Sequence, residues 1–184
     1  MFVNIENSIK KRKLIYNYSF WDNFWVLITP IFVCFLTISC GVIVLNEGIK
    51  RDKTEFIVYS IIFLLIVGIV IVAYFFIDKL SEIKGKSCSN NVKLIREFIK
   101  ESGFEFDNQK NKLFSVSIPV RKYNPFNTRY LTIIIESETI LYNCTTFLEM
   151  SASGIYFTEF RTPLAWFINK KYERKFRKYI NKQL

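Results

Sequence analysis

Two long stretches without a charged residue, 24–45 and 56–77, constrain this chain more than any other feature of its sequence. Each contains 22 residues. An α-helix rises about 1.5 Å per residue, so a helix of this length spans about 33 Å, and the hydrocarbon core of a bilayer is about 30 Å thick. The sequence therefore predicts two transmembrane helices that form a hairpin, joined by an external connector at 46–55.

The rest of the chain divides around this predicted hairpin. Residues 1–23 form a basic N-terminal segment, residues 78–89 a polar linker, and residues 90–184 a small domain that is long enough to bury its own core. The chain has four cysteines without a CxxC pair and has no histidine. We therefore expect neither a disulfide framework nor a zinc or haem site of the common kinds.

Basic residues predict the orientation of the hairpin in the membrane. Lys10–Lys13 precede the first stretch, and a second group of basic residues follows the second stretch, whereas the three bases of the connector are balanced by three acids. The positive-inside rule then places both termini in the cytoplasm, with Trp21, Trp25 and Tyr74 as anchors at the cytoplasmic interface. Together with a composition rich in Lys, Ile and Asn, this pattern predicts a multi-pass protein of a bacterial plasma membrane.

Changes of hydrophobic period predict the fold of the domain. An apolar stripe of helical period predicts a helix from Asn90 or Asn91 to Ser102, ended by Gly103. Alternating or β-branched segments predict strands at 104–106, 114–118, 130–135, 139–147 and 155–160. Thr162-Pro163 predicts the start of a last helix that runs to about Lys182. The predicted fold class is an α+β membrane protein: a two-helix transmembrane hairpin, then a cytoplasmic domain of a helix, a four- to five-stranded, mostly antiparallel sheet and a basic amphipathic helix.

The last helix concentrates the positive charge of the domain. Residues 161–182 contain eight bases and one acid, Glu173. The bases opposite the apolar face of the helix are Lys170, Lys171, Arg174, Lys175, Arg177, Lys178 and Lys182. Three interpretations are open: a solvated outer face, a surface that binds the anionic inner leaflet, and a surface that binds nucleic acid or an acidic protein. Tethering to a membrane and the absence of nucleic-acid-binding motifs argue against nucleic acid.

The sequence contains no motif that identifies a reaction or a cofactor. The patterns GxGxxG, GxxxxGK[ST], GxSxG and HExxH are all missing. Cys144 has no histidine that could activate it as a nucleophile. We therefore expect a protein that is not an enzyme and that binds no cofactor or metal.

Three functional hypotheses follow from this architecture. The first is a non-enzymatic, membrane-anchored binding or regulatory protein whose α+β domain is held at the membrane surface. The second is a membrane-perturbing effector, or an immunity protein, of a bacterial conflict or defence system. The third is a subunit of a larger membrane assembly, with a protein partner or further copies of itself. The two apolar stretches carry no charge at mid-depth, which favours an anchor over a conduit.

Overall fold

The computed structural model describes residues 3–17, 20–110, 112–119, 127–148, 151–152, 155–156, 160–161 and 165–184. The chain divides into two compact units. The helical unit is Tyr18–Phe76, and the α+β unit combines Met1–Asn17 with Ile77–Leu184. The apolar part of the sequence is therefore an insertion within the chain that builds the α+β unit.

The described residues contain five helices: α1 (Ile5–Lys11), α2 (Phe20–Lys50), α3 (Thr54–Phe76), α4 (Cys88–Ser102) and α5 (Trp166–Gln183). The helices α2 and α3 are longer than the apolar stretches that predicted them. Glu47 forms ion pairs with Lys50 and Arg51, at 3.8 and 3.2 Å, with the spacing that stabilises a helix. These contacts extend α2 into the predicted connector, so that only residues 51–53 separate the two helices.

One helix in the described part of the chain, α3, is long and apolar enough to cross a membrane. It has 23 residues, and its most apolar 18-residue stretch has a mean hydropathy of 3.1, with only 11% of that stretch buried by the rest of the protein. This finding covers one of the two predicted spans. The transmembrane hairpin as a whole stays a prediction.

The two long helices pack closely at two glycines of α2. A Cβ atom added at Gly41 would lie 2.8 Å from Cδ2 of Leu64, and one added at Gly48 would lie 3.0 Å from Cβ of Phe56. The two glycines are seven residues apart and therefore lie on the same side of α2. Their missing side chains allow the backbone of α2 to approach α3.

Strands of the α+β unit form one main sheet. Its members are β1 (Ser81–Lys84), β2 (Glu105–Lys110), β3 (Leu113–Ile118), β4 (Asn127–Glu136) and β5 (Thr139–Leu148), in the spatial order β1-β5-β4-β3-β2. All neighbours in this order are antiparallel. The short pair β6 (Ser151–Ala152) and β7 (Ile155–Tyr156) is separate, whereas β8 (Phe160–Arg161) pairs with the end of β5. The predicted α+β class with an antiparallel sheet is confirmed.

Two stretches differ from the prediction. Residues 78–89 are not a plain linker, because they contain β1, whose four residues pair with β5. In β1 only Ile83 is buried, so the sequence of this edge strand carries no recognisable alternation. The single strand predicted at 155–160 corresponds to β7 and β8, which have different partners. The start signal Thr162-Pro163 lies outside the described residues.

The start of α4 also differs from the prediction. The helix begins before Asn91, which was a predicted cap, and the buried Asn91 amide has another role. It accepts a hydrogen bond from the backbone N–H of Lys86 at 2.8 Å and donates to the carbonyls of Lys86 and Ser137, at 2.9 and 3.3 Å. Asn91 thereby ties the loop before α4 to the β4–β5 turn. At the other end, Gly103 adopts the predicted left-handed conformation, with φ of 65°.

Both faces of the main sheet are covered. One face packs against α4 and α5, and the resulting core consists of Ile83, Ile95, Phe98, Ile99, Phe114, Val116, Ile118, Leu131, Ile133, Ile135, Ile140, Tyr142, Cys144, Phe176 and Ile180. The opposite face packs against the N-terminal segment, where the rings of Tyr16 and Phe147 meet edge to face at 5.9 Å. This explains why β5 is buried on both sides although it is rich in polar residues.

Candidate functional site

The helix α5 separates its buried residues from its basic ones. Asn169, Glu173, Phe176 and Ile180 recur every three or four residues and are all buried against the sheet. The seven predicted basic residues lie elsewhere on the helix, and the structure divides them into two groups.

Three of the seven basic residues make contacts with other described residues of the α+β unit. Lys170 Nζ lies 2.6 Å from the Glu173 carboxylate, and Arg177 Nη2 donates to a backbone carbonyl of β1 at 3.2 Å. Lys175 Nζ lies 5.1 Å from the centre of the Phe104 ring. Arg177 and Lys175 help to hold α5 in place, and all three residues are less available to a partner.

The remaining four, Lys171, Arg174, Lys178 and Lys182, form a cationic stripe. They are exposed, and none makes a hydrogen bond or ion pair with any residue that the structure describes. Their spacing of three, four and four residues places them within about 80° of the helix circumference. Phe167 and Ile168 flank the stripe at its N-terminal end and are 66% and 50% exposed. The outer surface of α5 thus combines unpaired positive charge with exposed apolar side chains.

A buried carboxylate lies beneath α5. Glu173 is 4% exposed, and its Oε1 accepts a hydrogen bond from the backbone N–H of Cys144 at 3.2 Å. Its Oε2 accepts from the Ser81 hydroxyl at 3.0 Å and from Lys170 Nζ. Glu173 therefore joins α5 to both β5 and β1. In the sequence it is only the lone acid of a basic helix, and nothing local indicates this role.

Cys144 lies in the same buried layer. Burial raises the pKa of its thiol above the usual value, and the nearby Glu173 carboxylate raises it further, although the positive charge of Arg129 opposes both. A protonated, buried thiol is a poor nucleophile. The environment of Cys144 therefore disfavours its thiolate form.

The chain on the two sides of the helical unit meets in a junction, formed by residues 12–14, residues 77–80 and Asn143. The Leu14 N–H donates to the Asp78 carbonyl at 2.8 Å, and the Leu80 N–H donates to the Arg12 carbonyl at 3.0 Å. The buried Asn143 amide donates to the carbonyls of residues 77 and 79, each at 2.9 Å. The basic N-terminal segment, treated separately in the sequence analysis, is therefore part of the α+β unit up to residue 17.

The predicted interface anchors belong to the helical unit. Tyr74 is half-buried and packs edge to face against Phe75, with ring centres 6.4 Å apart, while Phe75 is 70% exposed. The side chains of Trp21 and Trp25 lie outside the described residues. Their role as anchors stays a prediction.

Metal-binding side chains do not cluster in the part of the chain that the structure describes: no group of three or more His, Cys, Asp or Glu residues could hold an ion there. The chain matches no protein-family model, no curated protein and no solved structure. The cationic stripe and the junction are therefore the features of the described residues that bear most directly on function.

Proposed function

We propose that this chain is a membrane-anchored binding protein whose α+β unit is held at the cytoplasmic surface by a two-helix hairpin and whose cationic stripe binds anionic lipid. The observation that carries the proposal is the outer surface of α5. Four exposed bases there have no partner among the described residues, and the apolar side chains of Phe167 and Ile168 lie beside them. Interfacial helices combine these two features.

The junction supports two membrane crossings. Because Leu14 is hydrogen-bonded to Asp78, residues before and after the helical unit belong to one folded body. Such a body lies on one side of a bilayer, so the chain between these residues crosses it an even number of times. The helix α3 has the length and hydropathy for one crossing. In this proposal α2 makes the second crossing.

The charge around the hairpin supports a cytoplasmic α+β unit. Exposed lysines flank the hairpin on both sides in the sequence, with Lys10 and Lys11 before it and Lys79 and Lys84 after it. Short basic segments next to membrane helices stay on the cytoplasmic side. The inner leaflet of that side carries the anionic lipids that the stripe would bind.

The expected strength of the lipid contact fits a reversible attachment of α5 to the membrane. Each base near an anionic surface contributes about 1 kcal/mol, so the four residues of the stripe contribute about 4 kcal/mol together. Alone this is weak, but the hairpin keeps α5 at a high effective concentration near the lipid. Binding should therefore respond to lipid charge and to salt.

Lysine labelling of the full chain in nanodiscs tests this proposal. We expect Lys171, Lys178 and Lys182 to react several-fold more slowly with an amine reagent in nanodiscs that contain phosphatidylglycerol than in nanodiscs of phosphatidylcholine alone. High salt should remove the difference, because it screens the contact. Mass spectrometry gives the rate at each lysine, and the exposed Lys100 of α4 serves as the internal control.

A charge-reversed variant completes the test. Changing Arg174→Glu and Lys178→Glu should abolish the slower labelling of Lys171 and Lys182, whereas the control change Lys100→Glu should leave it intact. Equal labelling rates in the two lipid compositions would contradict lipid binding by the stripe.

A further inference from the structure

The buried side chain of Arg129, a residue of β4, has no carboxylate partner among the described residues. Arg129 is 7% exposed, and its Nε donates to Thr146 Oγ1 at 3.1 Å and to Asn169 Oδ1 at 3.2 Å, both of which are uncharged. Its guanidinium lies over the Tyr172 ring, with Cζ 5.0 Å from the ring centre. The terminal nitrogens Nη1 and Nη2 make no hydrogen bond or ion pair with any residue in the described ranges.

The unsatisfied groups on the neighbouring side of α5 are also N–H donors. Asn169 is 1% exposed, and its Oδ1 accepts from Arg129 and from Thr146 Oγ1, the latter at 2.7 Å. Its Nδ2 is buried and has no acceptor among the described residues, and the same holds for Nε1 of Trp166. Trp166 and Asn169 are three residues apart and so lie on the same side of α5. Only an acceptor could satisfy these groups.

Glu173, the one acid of α5, does not balance the charge of Arg129. Both oxygens of Glu173 are already used, by the backbone N–H of Cys144, the Ser81 hydroxyl and Lys170. A buried charge without a counter-charge is strongly unfavourable. The described residues thus leave one cation without a counter-charge among them and two buried N–H groups without an acceptor. An anion would satisfy all three.

We propose that Arg129, Asn169 and Trp166 form a binding site for an oxyanion, the phosphate or carboxylate group of a small ligand. The flat guanidinium can donate to two oxygens of such a group at once. Asn169 Nδ2 and Trp166 Nε1 supply further donors. The site faces the sheet, on the side of α5 opposite the cationic stripe, so it is independent of the proposed lipid contact.

Tryptophan fluorescence of the full chain in detergent tests this site. The chain has three tryptophans, so the changes Trp21→Phe and Trp25→Phe leave Trp166 as the single reporter. We expect a saturable change in its emission on titration with inorganic phosphate or with acetate, at an ionic strength held constant with chloride. The stronger response identifies the preferred oxyanion.

Two variants connect the response to Arg129. Changing Arg129→Gln should weaken anion binding about tenfold or more, the loss expected for one charge-assisted hydrogen bond. The control Lys100→Gln, at an exposed position of α4, should leave binding unchanged. The change Asn169→Asp places a carboxylate of nearly the same shape beside Arg129. It should raise the thermal midpoint in anion-free buffer and abolish the phosphate response.

Two results would overturn this inference. A phosphate or acetate response that survives both Arg129→Gln and Asn169→Asp would show an adventitious ion only. The second result has two parts: the chain with the native Arg129, Asn169, Glu149 and Glu159 responds to neither anion, and a response appears in Glu149→Gln or Glu159→Gln. It would show that an acid from outside the described residues completes the site. In that case Asn169→Asp would lower the thermal midpoint, because it would bring a second carboxylate to one arginine.

Discussion

The Cys144 thiol should make the stability of the α+β unit sensitive to alkaline pH. Burial raises its pKa above that of the same thiol in the unfolded chain, which is about 8.5. The folded protein therefore holds the proton more tightly, and the stabilisation is complete below about pH 8.5 and is lost as the pH rises. We expect the free energy of unfolding to fall by about 1.4 kcal/mol for each pH unit above about 8.5. Chemical denaturation followed by near-ultraviolet circular dichroism measures this slope.

Matched cysteine variants isolate the effect. Changing Cys144→Ala should flatten the slope between about pH 8.5 and 10, whereas Cys88→Ala, which removes a half-buried thiol, should retain it. Burial also raises the pKa of Tyr142, but a tyrosine contributes to such a decline only above about pH 10. Equal slopes in the two variants would contradict the prediction.

Single residues were predictable where their role is local. Gly103 ends a helix through its own left-handed conformation, and the sequence around it is sufficient to predict that role. The partners of Asn91, Glu173 and Arg129 include residues that are 46, 29 and 40 positions away in the chain. No local pattern encodes such distances, so the Glu173 network and the surroundings of Arg129 appear only in the folded structure.

Between elements, the packing of α2 on α3 should depend on the glycines of α2. Changing Gly41→Leu places a side chain where a Cβ atom alone would lie 2.8 Å from Cδ2 of Leu64, so the Leu64 side chain or the helices themselves must shift. We expect a loss of stability of about 1–3 kcal/mol, the usual cost of overpacking. Detergent-induced unfolding of the full chain, followed by far-ultraviolet circular dichroism, measures it.

The control for this prediction lies in the partner helix. A Cβ atom added at Gly68 of α3 would meet nothing within 4 Å, so Gly68→Leu should have a much smaller effect. Similar losses of stability for Gly41→Leu and Gly68→Leu would contradict the prediction, because they would show that the effect does not come from close packing of α2 on α3.

Elements with a strong period were predicted well, and short edge elements were not. The helix α4 and the strands β3, β4 and β5 carry clear helical or alternating patterns, and each occurs within a few residues of its predicted bounds. The strand β1 has four residues with one buried side chain, so it lacks the pattern that identifies a strand. Its position is set by backbone pairing with β5, which composition does not reveal.

At the scale of the whole molecule, the junction was the feature least accessible from the sequence. The pairing of residues 12–14 with residues 78–80 joins segments that the entire helical unit separates. Hydropathy marks the apolar stretches clearly, but it does not indicate that the chain before them folds with the chain after them. The sequence suggests a hairpin followed by a separate domain, whereas the structure is an α+β unit with a helical insertion. The residues before the insertion should therefore fold together with those after it.

Excision of the helical unit should therefore leave a domain that folds. The Leu14 N–H is hydrogen-bonded to the Asp78 carbonyl at 2.8 Å, and the three residues from Leu14 to Asn17 span at most about 10 Å. A linker of about five Gly and Ser residues can therefore join Asn17 to Ile77. We expect the excised chain to be monomeric without detergent on gel filtration and to protect Cys144 from a thiol reagent as the full chain does. The added change Leu14→Pro removes the N–H that bonds to Asp78, and should abolish both properties. If the excised chain aggregated as readily as its Leu14→Pro variant, the α+β unit would depend on the helices for more than attachment, and the division of the molecule into two units would not hold in solution.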